Sequence, residues 1–229
     1  MKNFIYLSLA LLVSLSIQAE ELPRRGMLGV HLAPDSTQQS GAIVQKVIPN
    51  GSADRMGVID GDRIILVNGN ETNSFQELMK QLGETKKTKE TKLGLLRKGK
   101  KIEVRGELLP TPFVVKNEYI LKSFDYKGNK IRTIIEKPEG KGPFPTIYYI
   151  QGYPCQSCEY TDPDSPLRRF IDDLVDLGYL VYRVEKPNMG DSKGELQCDE
   201  ITFTTENEVF SKGYDELLKS ELIDKNKIA

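Results

Sequence analysis

Four short stretches of this 229-residue chain carry residue types that can do chemistry. Gly190-Asp191-Ser192-Lys193-Gly194 fits G-x-S-x-G, the pattern that places a nucleophilic serine on a sharp strand-to-helix turn. Cys155-Gln156-Ser157-Cys158 fits C-x-x-C, a spacing used for thiol–disulfide exchange. In Gly26-Met27-Leu28-Gly29-Val30, consecutive backbone amides can converge on an anion. His31 is the chain's one histidine, and histidine is the usual general base near neutral pH.

The elements around each stretch decide between these chemistries. A nucleophile elbow needs a strand directly before it and a helix directly after. Lys186-Pro187-Asn188 stands between Gly190 and the preceding apolar strand. Glu195–Phe203 (ELQCDEITF) has no helical stripe, and no histidine follows Ser192 to complete a serine–acid–histidine set. Ser192 is therefore expected not to be a nucleophile, and no catalytic side chain is expected in this chain. His31 lies in an early strand and is expected to be a groove-side or surface residue and not a catalyst. A redox C-x-x-C wants its first cysteine at a helix N-terminus. Asp162, Asp164 and nearby prolines favour a loop instead. The favoured alternative is a disulfide from Cys155 or Cys158 to Cys198, since three cysteines leave one unpaired within the chain. No metal site and no cofactor are expected.

Lys and Arg total 32 against 33 acids, a balance that gives no electrostatic reason to expect nucleic acid or anionic lipid as a partner. The start of the chain is a different matter. Met1-Lys2-Asn3 precedes an apolar run, Phe4–Ile17, and then Gln18-Ala19 before Glu20-Glu21. That is the layout of a secretory signal cleaved after Ala19, residues 1–19. A membrane anchor is the competing reading, but the run is shorter than the ~20 residues a spanning helix needs. The mature chain is expected to be exported, periplasmic or secreted, with no membrane span left after cleavage.

Residues 24–109 show a run of turn and cap signals. Gly41–Val47 alternates as a strand. Ser52 is placed to cap a short helix that Gly57 ends. Asp60-Gly61-Asp62 turns into the strand Arg63–Val67, and Ser74 with Glu77 forms a capping box before the helix Phe75–Leu82. These residues resemble a PDZ domain of the type in bacterial periplasmic proteases. The resemblance rests on Ser52, Ala53, Gly57, Gly61, Asp62 and Ile64, then Val67-Asn68-Gly69, together with Gly26–Val30. It implies an α+β domain in which Met27, Leu28, Gly29 and Val30 hold the carboxylate of a peptide or protein C-terminus. The peptide would add as a strand beside Val30–Leu32, against the Phe75–Leu82 helix, with Arg24 and Arg25 adding positive charge nearby.

After the stiff Pro110-Thr111-Pro112, residues 113–229 alternate strands with helices. A hairpin is expected over Tyr119–Phe124 and Lys130–Glu136, then a buried strand from Phe144 to Gln151. A helix opens at Pro166, with Leu167, Phe170, Ile171, Leu174 and Val175 as its inward stripe. A strand follows at Tyr179–Val184, then a helix from about Glu206 with Thr205 and Glu208 as a capping box. PFPTIYYIQGYP, LGYLVYRVEKPNMGDSKG and DKNKIA resemble the first half of an α/β-hydrolase. That resemblance implies an incomplete α/β domain with a mostly parallel sheet, stopping before the nucleophile elbow. It also implies that the Tyr153 N–H is one oxyanion-hole donor. The expected function is that of a fragment of an exported serine hydrolase, inactive by itself, with a peptide-binding PDZ domain. A non-catalytic peptide-binding protein with a degenerate hydrolase domain is the alternative, and a thiol–disulfide protein is a weaker one.

Overall fold

The computed structural model describes residues 22–33, 41–73, 77–78, 81–82, 90–112, 116–196 and 200–229. The expected signal peptide, Ser74 and Cys198 lie outside the described residues, as does half of the Phe75–Leu82 helix.

Period-2 burial builds the first unit. In chain order it comprises β1 (Gly26–Met27), β2 (Val30–Leu32), β3 (Ala42–Val47), α1 (Ser52–Met56), β4 (Arg63–Val67), β5 (Asn70–Glu71), β6 (Glu90–Arg97), β7 (Lys100–Glu107) and β8 (Leu109–Pro110). Along β6, Thr91, Leu93 and Leu95 are buried while Glu90 and Lys92 are exposed, so one face of the strand meets the core. The sheet runs β2-β3-β4-β6-β7 with β5 on β4, and every pair is antiparallel. Its core gathers Val44, Ala53, Ile64, Leu78, Leu93 and Leu95. Burying one such Val, Leu or Ile side chain is worth ~1.5–3 kcal/mol. A two-stranded ribbon, β1 against β8, brings the two ends of this unit together.

The second unit comprises β9 (Glu118–Tyr126), β10 (Asn129–Lys137), β11 (Phe144–Tyr149), α2 (Pro166–Asp176), β12 (Leu180–Val184), α3 (Phe203–Leu217) and β13 (Ile223–Ile228). Its five strands are ordered β13-β11-β12-β10-β9. β11 pairs parallel with β12 and β13, but β10 pairs antiparallel with both β9 and β12. The sheet is therefore mixed, which corrects the expected mostly parallel one. The hairpin β9–β10 stays intact, turned at Lys127-Gly128, and β12 lands against it in the opposite sense.

All five residues of β12 are buried, because both faces of the sheet are covered. Leu180, Tyr182 and Val184 share a cluster with Val209, Phe210 and Leu217 of α3. Val181 packs instead with Ile171 and Val175 of α2. The same parity puts Arg183 and Glu136 on the α2 side, and this corrects the expected helix stripe. Leu167 and Phe170 are exposed, whereas Arg168 is 1% exposed and forks onto the Glu136 carboxylate at 2.8 and 2.6 Å. Arg183 also donates to Glu136. A helix covering a charged sheet face must bring its own counter-charge, and Arg168 does so.

Two caps also differ from expectation. The N-cap of α3 is Thr202, whose side chain accepts from Thr205 N, and Glu208 bonds Tyr126 and Lys127 instead of closing a box. Gly51, not Ser52, is the N-cap of α1, because the Ser52 hydroxyl is committed elsewhere.

Candidate functional site

Ser52 is the pin of the glycine loop. Its Oγ donates to the Met27 carbonyl at 2.6 Å and accepts the Leu109 N–H at 2.8 Å, so it ties β1 to the residue that opens β8. The Leu28 carbonyl accepts from Ala53 N at 2.8 Å and the Gly29 carbonyl from Ile48 N at 3.0 Å. With both carbonyls held inward, the loop's amides turn the other way. Among the described residues no acceptor meets the N–H of Leu28 or Gly29, although both residues are buried. An amide N–H without a protein acceptor is a donor that a ligand can satisfy. Gly29 has φ +77°, and a Cβ there would lie 3.3 Å from Gly51 Cα. Both the left-handed backbone and the close approach require glycine. Val30 pairs with Val47, and β2 is the end strand of its sheet, so its outer edge carries no partner strand among the described residues. His31 is exposed on this strand, as expected. Of the expected opposite wall, Leu78 and Leu82 are buried in the core.

Arg24 and Arg25 do not lend their charge to this loop. They form part of a strap, Leu22–Arg25, that precedes β1 and is anchored in the second unit. The Arg24 guanidinium meets Glu159 at 2.6 and 2.9 Å and Asp191 at 2.6 Å, with all three side chains largely buried. The Arg25 backbone N–H donates to Asp191 Oδ1 at 2.8 Å, and its guanidinium donates to the Asn188 carbonyl at 2.6 Å and the Ser192 carbonyl at 3.1 Å. Arg132 donates to the Leu22 carbonyl and lies 3.5 Å from Asp191. Burial opposes the Arg24 charge, but the Glu159 and Asp191 carboxylates outweigh it and raise the Arg24 pKa further above its ordinary value.

G-D-S-K-G therefore has a structural explanation at each of its five positions. A Cβ at Gly190 would fall 2.2 Å from Glu185 Oε1, and one at Gly194 1.7 Å from Asn129 Oδ1. Asp191 receives the strap. Ser192 is 1% exposed and its Oγ accepts the Arg132 N–H at 2.9 Å. Lys193 exchanges backbone hydrogen bonds with Lys130 at 2.8 and 2.9 Å. Among the described residues no helix follows directly, and α3 begins at Phe203. Ser192 is packed against β10 through its bond to the Arg132 N–H. The strap itself had no local signal, because its partners lie from 86 to 167 residues away.

Cys155 is disulfide-bonded and Cys158 is a buried free thiol, so the two do not form a C-x-x-C redox pair. The partner of Cys155 lies outside the described residues. Burial pushes the Cys158 thiol well up, and the nearby Glu185 carboxyl adds to this. Glu185 is itself fully buried, with its carboxylate accepting from Ser157 Oγ at 2.5 Å and Cys158 N at 3.2 Å. Tyr153 is 90% exposed at the tip of the loop after β11. The neighbouring Gly152 carbonyl is held by Lys186 Nζ at 2.8 Å. Among the described residues, no group of three or more His, Cys, Asp or Glu is placed to hold a metal ion.

Residues 16–96 match the PDZ domain. The periplasmic pH-dependent serine endoprotease DegQ of Escherichia coli K12 is 38% identical over 94 residues, covering 37% of this chain and 21% of DegQ. The periplasmic serine endoprotease DegP of the same organism is 43% identical over 70 residues, covering 31% and 15%. Among solved structures, the HtrA-type protease AlgW with a decapeptide is 27% identical at a TM-score of 0.35, over 39% of this chain and 31% of that one. A serine endoprotease from Yersinia pestis is 30% identical at a TM-score of 0.34, over 39% and 30%. The chain spans about a fifth of DegQ.

DegQ and DegP are periplasmic serine endoproteases, and neither is an α/β-hydrolase. The expected α/β-hydrolase family, its incomplete α/β-hydrolase fold and the function of an ester- or peptide-cleaving fragment are corrected to this kinship. The oxyanion role that the α/β-hydrolase resemblance implied for Tyr153 is left without support. The protein is exported, as its signal-like start implied, and its relatives are periplasmic. PDZ domains bind peptide C-termini.

Proposed function

We propose that this is an exported peptide-recognition protein whose PDZ unit captures the free C-terminus of a peptide or protein. The observation that carries this reading is the pair of adjacent amides, Leu28 and Gly29, which meet no acceptor among the described residues. A terminal carboxylate supplies two oxygens where two N–H groups converge, an anion nest of backbone dipoles. The Met27–Val30 stretch runs straight into the open edge of β2, so the residues before the carboxylate can add as a strand.

Kinship with Deg- and HtrA-type serine endoproteases supports a role beside proteolysis, with the captured chain a substrate or a regulator. The residues of this chain supply recognition within that role. Its one histidine, His31, is exposed on β2, and its G-x-S-x-G serine is buried against Arg132. A decapeptide ending in a free apolar residue is expected to bind with a dissociation constant on the order of micromolar. Its C-terminally amidated twin should bind at least tenfold more weakly. Fluorescence anisotropy with the two labelled peptides tests this, and equal binding of both overturns it.

A further inference from the structure

The chain leaves the second unit's anchor at Arg25 and enters the ligand-facing loop at Met27, with one residue between them. We propose that the anchor formed by Arg24, Arg25, Asp191 and Glu159 is a latch through which the second unit positions the Met27–Val30 loop for peptide capture. The inference rests on the peptide-binding reading and assigns positioning residues that do not touch the peptide.

Three observations converge on it. The first is rigidity: Arg24 is held by two carboxylates and by the Thr111 carbonyl at 3.2 and 3.3 Å. Thr111 is fixed in turn, its N–H donating to the Arg25 carbonyl at 2.8 Å and its Oγ1 to the same carbonyl at 3.1 Å. The strap and the linker after β8 thus grip each other and the second unit at one point. The second is continuity. The β1–β8 ribbon extends that grip from Gly26–Met27 to Ser52, whose hydroxyl fixes the Met27 carbonyl. From there, Leu28 and Gly29 follow with no residue free to absorb a shift, since both their carbonyls are bonded. The third is burial. Asp191 and Glu159 are 4% and 6% exposed, and buried charges are retained only where they are paired. Asp191 answers the strap through Arg24 and the Arg25 N–H, and it also faces the second unit's own buried Arg132, so it joins the strap to the second unit's charge network.

The latch therefore couples two places. A loop held in its binding geometry does not pay the ordering cost on binding, so loosening the strap lowers affinity without altering any contact to the peptide. Coupling is reciprocal, so peptide at Leu28–Gly29 must also steady the Asp191–Lys193 loop.

The test uses the mature full chain and the decapeptide pair, free and amidated. Arg24→Gln and Asp191→Asn should each weaken binding of the free peptide about tenfold, while Arg24→Lys keeps part of the affinity. Glu208→Gln, which breaks the contacts to Tyr126 and Lys127 away from the strap, serves as the control and should leave affinity unchanged. Hydrogen exchange on the unmutated chain keeps the test open if the variants unfold. Saturating free peptide should slow exchange at the Ser192 and Lys193 amides several-fold, and the amidated peptide should not. Wild-type binding with free-over-amidated preference, unchanged in Arg24→Gln and Asp191→Asn, overturns the latch alone, as does exchange at Ser192 and Lys193 that ignores the peptide. Loss of affinity in Glu208→Gln equal to that in Asp191→Asn overturns it too, by making the effect one of general stability. No free-over-amidated preference in the wild type overturns the peptide-binding reading beneath it.

Discussion

Ser192 Oγ accepts the backbone N–H of Arg132 at 2.9 Å, and both residues are 1% exposed. The bond joins the Asp191–Lys193 loop to β10 at the point where the strap arrives. Removing the hydroxyl leaves a buried N–H with no acceptor, which costs ~1–3 kcal/mol. Ser192→Ala should therefore lower the unfolding free energy by that amount in urea melts. A fluorophosphonate probe should leave native Ser192 unlabelled, because the side chain is enclosed and no histidine lies beside it. Labelling of Ser192, or a Ser192→Ala variant as stable as the wild type, would contradict this assignment.

In the first unit, Asp62 plays the comparable part. Its carboxylate takes Arg97 Nε at 2.8 Å, a second Arg97 nitrogen at 2.7 Å and the Ile59 N–H at 2.9 Å. Burial opposes the charge, but the Arg97 and Ile59 hydrogen bonds prevail and hold the carboxyl below its ordinary value. A depressed carboxylate stabilises the fold above its unfolded pKa, and that stability is lost as pH falls through the folded pKa. Asp62→Asn should cost ~1–3 kcal/mol near pH 7 and much less in acid, where the wild type is also protonated. A stability difference that is the same at pH 7 and pH 3 would show that the charge contributes nothing.

How far such roles can be read from sequence depends on how local they are. Gly29, Gly57, Gly61 and Asp62 announced the first unit, because left-handed caps and turns impose residue types at fixed short spacings. The strand order of the second unit was not stated by its period-2 segments, and its mixed pairing came from where β12 lands. Arg168 misled the stripe reading, since hydrophobic periodicity cannot register a sheet face that carries Glu136 and Arg183. Ser192 was set aside as a nucleophile from its flanks and from the lack of a later histidine. Its actual partner, Arg132, and the partners of Arg24 are set by tertiary contacts that no spacing rule reports.

Cys158 offers a chemical check. The thiol is 1% exposed and its pKa is raised by burial, so little thiolate forms near neutrality and access is closed. Native protein treated with iodoacetamide at pH 8 should carry no label on Cys158, and the same protein in guanidinium should be labelled there. Peptide mapping without reduction should find no Cys155–Cys158 bridge. A native label at Cys158, or that bridge, would restore the redox reading of C-Q-S-C.

Glu185 gives the second unit a pH dependence of opposite sign to Asp62. Its carboxyl is pushed up to about 7 by burial, opposed by the Ser157 hydroxyl and the Cys158 N–H, with Glu159 raising it further and Arg183 lowering it. The folded state thus keeps a proton that the unfolded chain has already released. Stability from this group is fully present below the ordinary carboxylate range and falls as pH rises, until it levels off near pH 7. The span corresponds to roughly 3 kcal/mol. Glu185→Gln keeps an acceptor for the Cys158 N–H and turns an amide NH2 toward the Ser157 hydroxyl, which can accept, but removes the buried charge. The variant should match the wild type near pH 4.5, gain on it steadily through pH 6 and be the more stable protein at pH 8. Urea melts across that range, followed by a signal from the second unit, measure the difference directly. Parallel stability curves for wild type and Glu185→Gln would mean that Glu185 does not titrate in this window, and the buried pair with Ser157 would then have to hold a full charge at every pH tested.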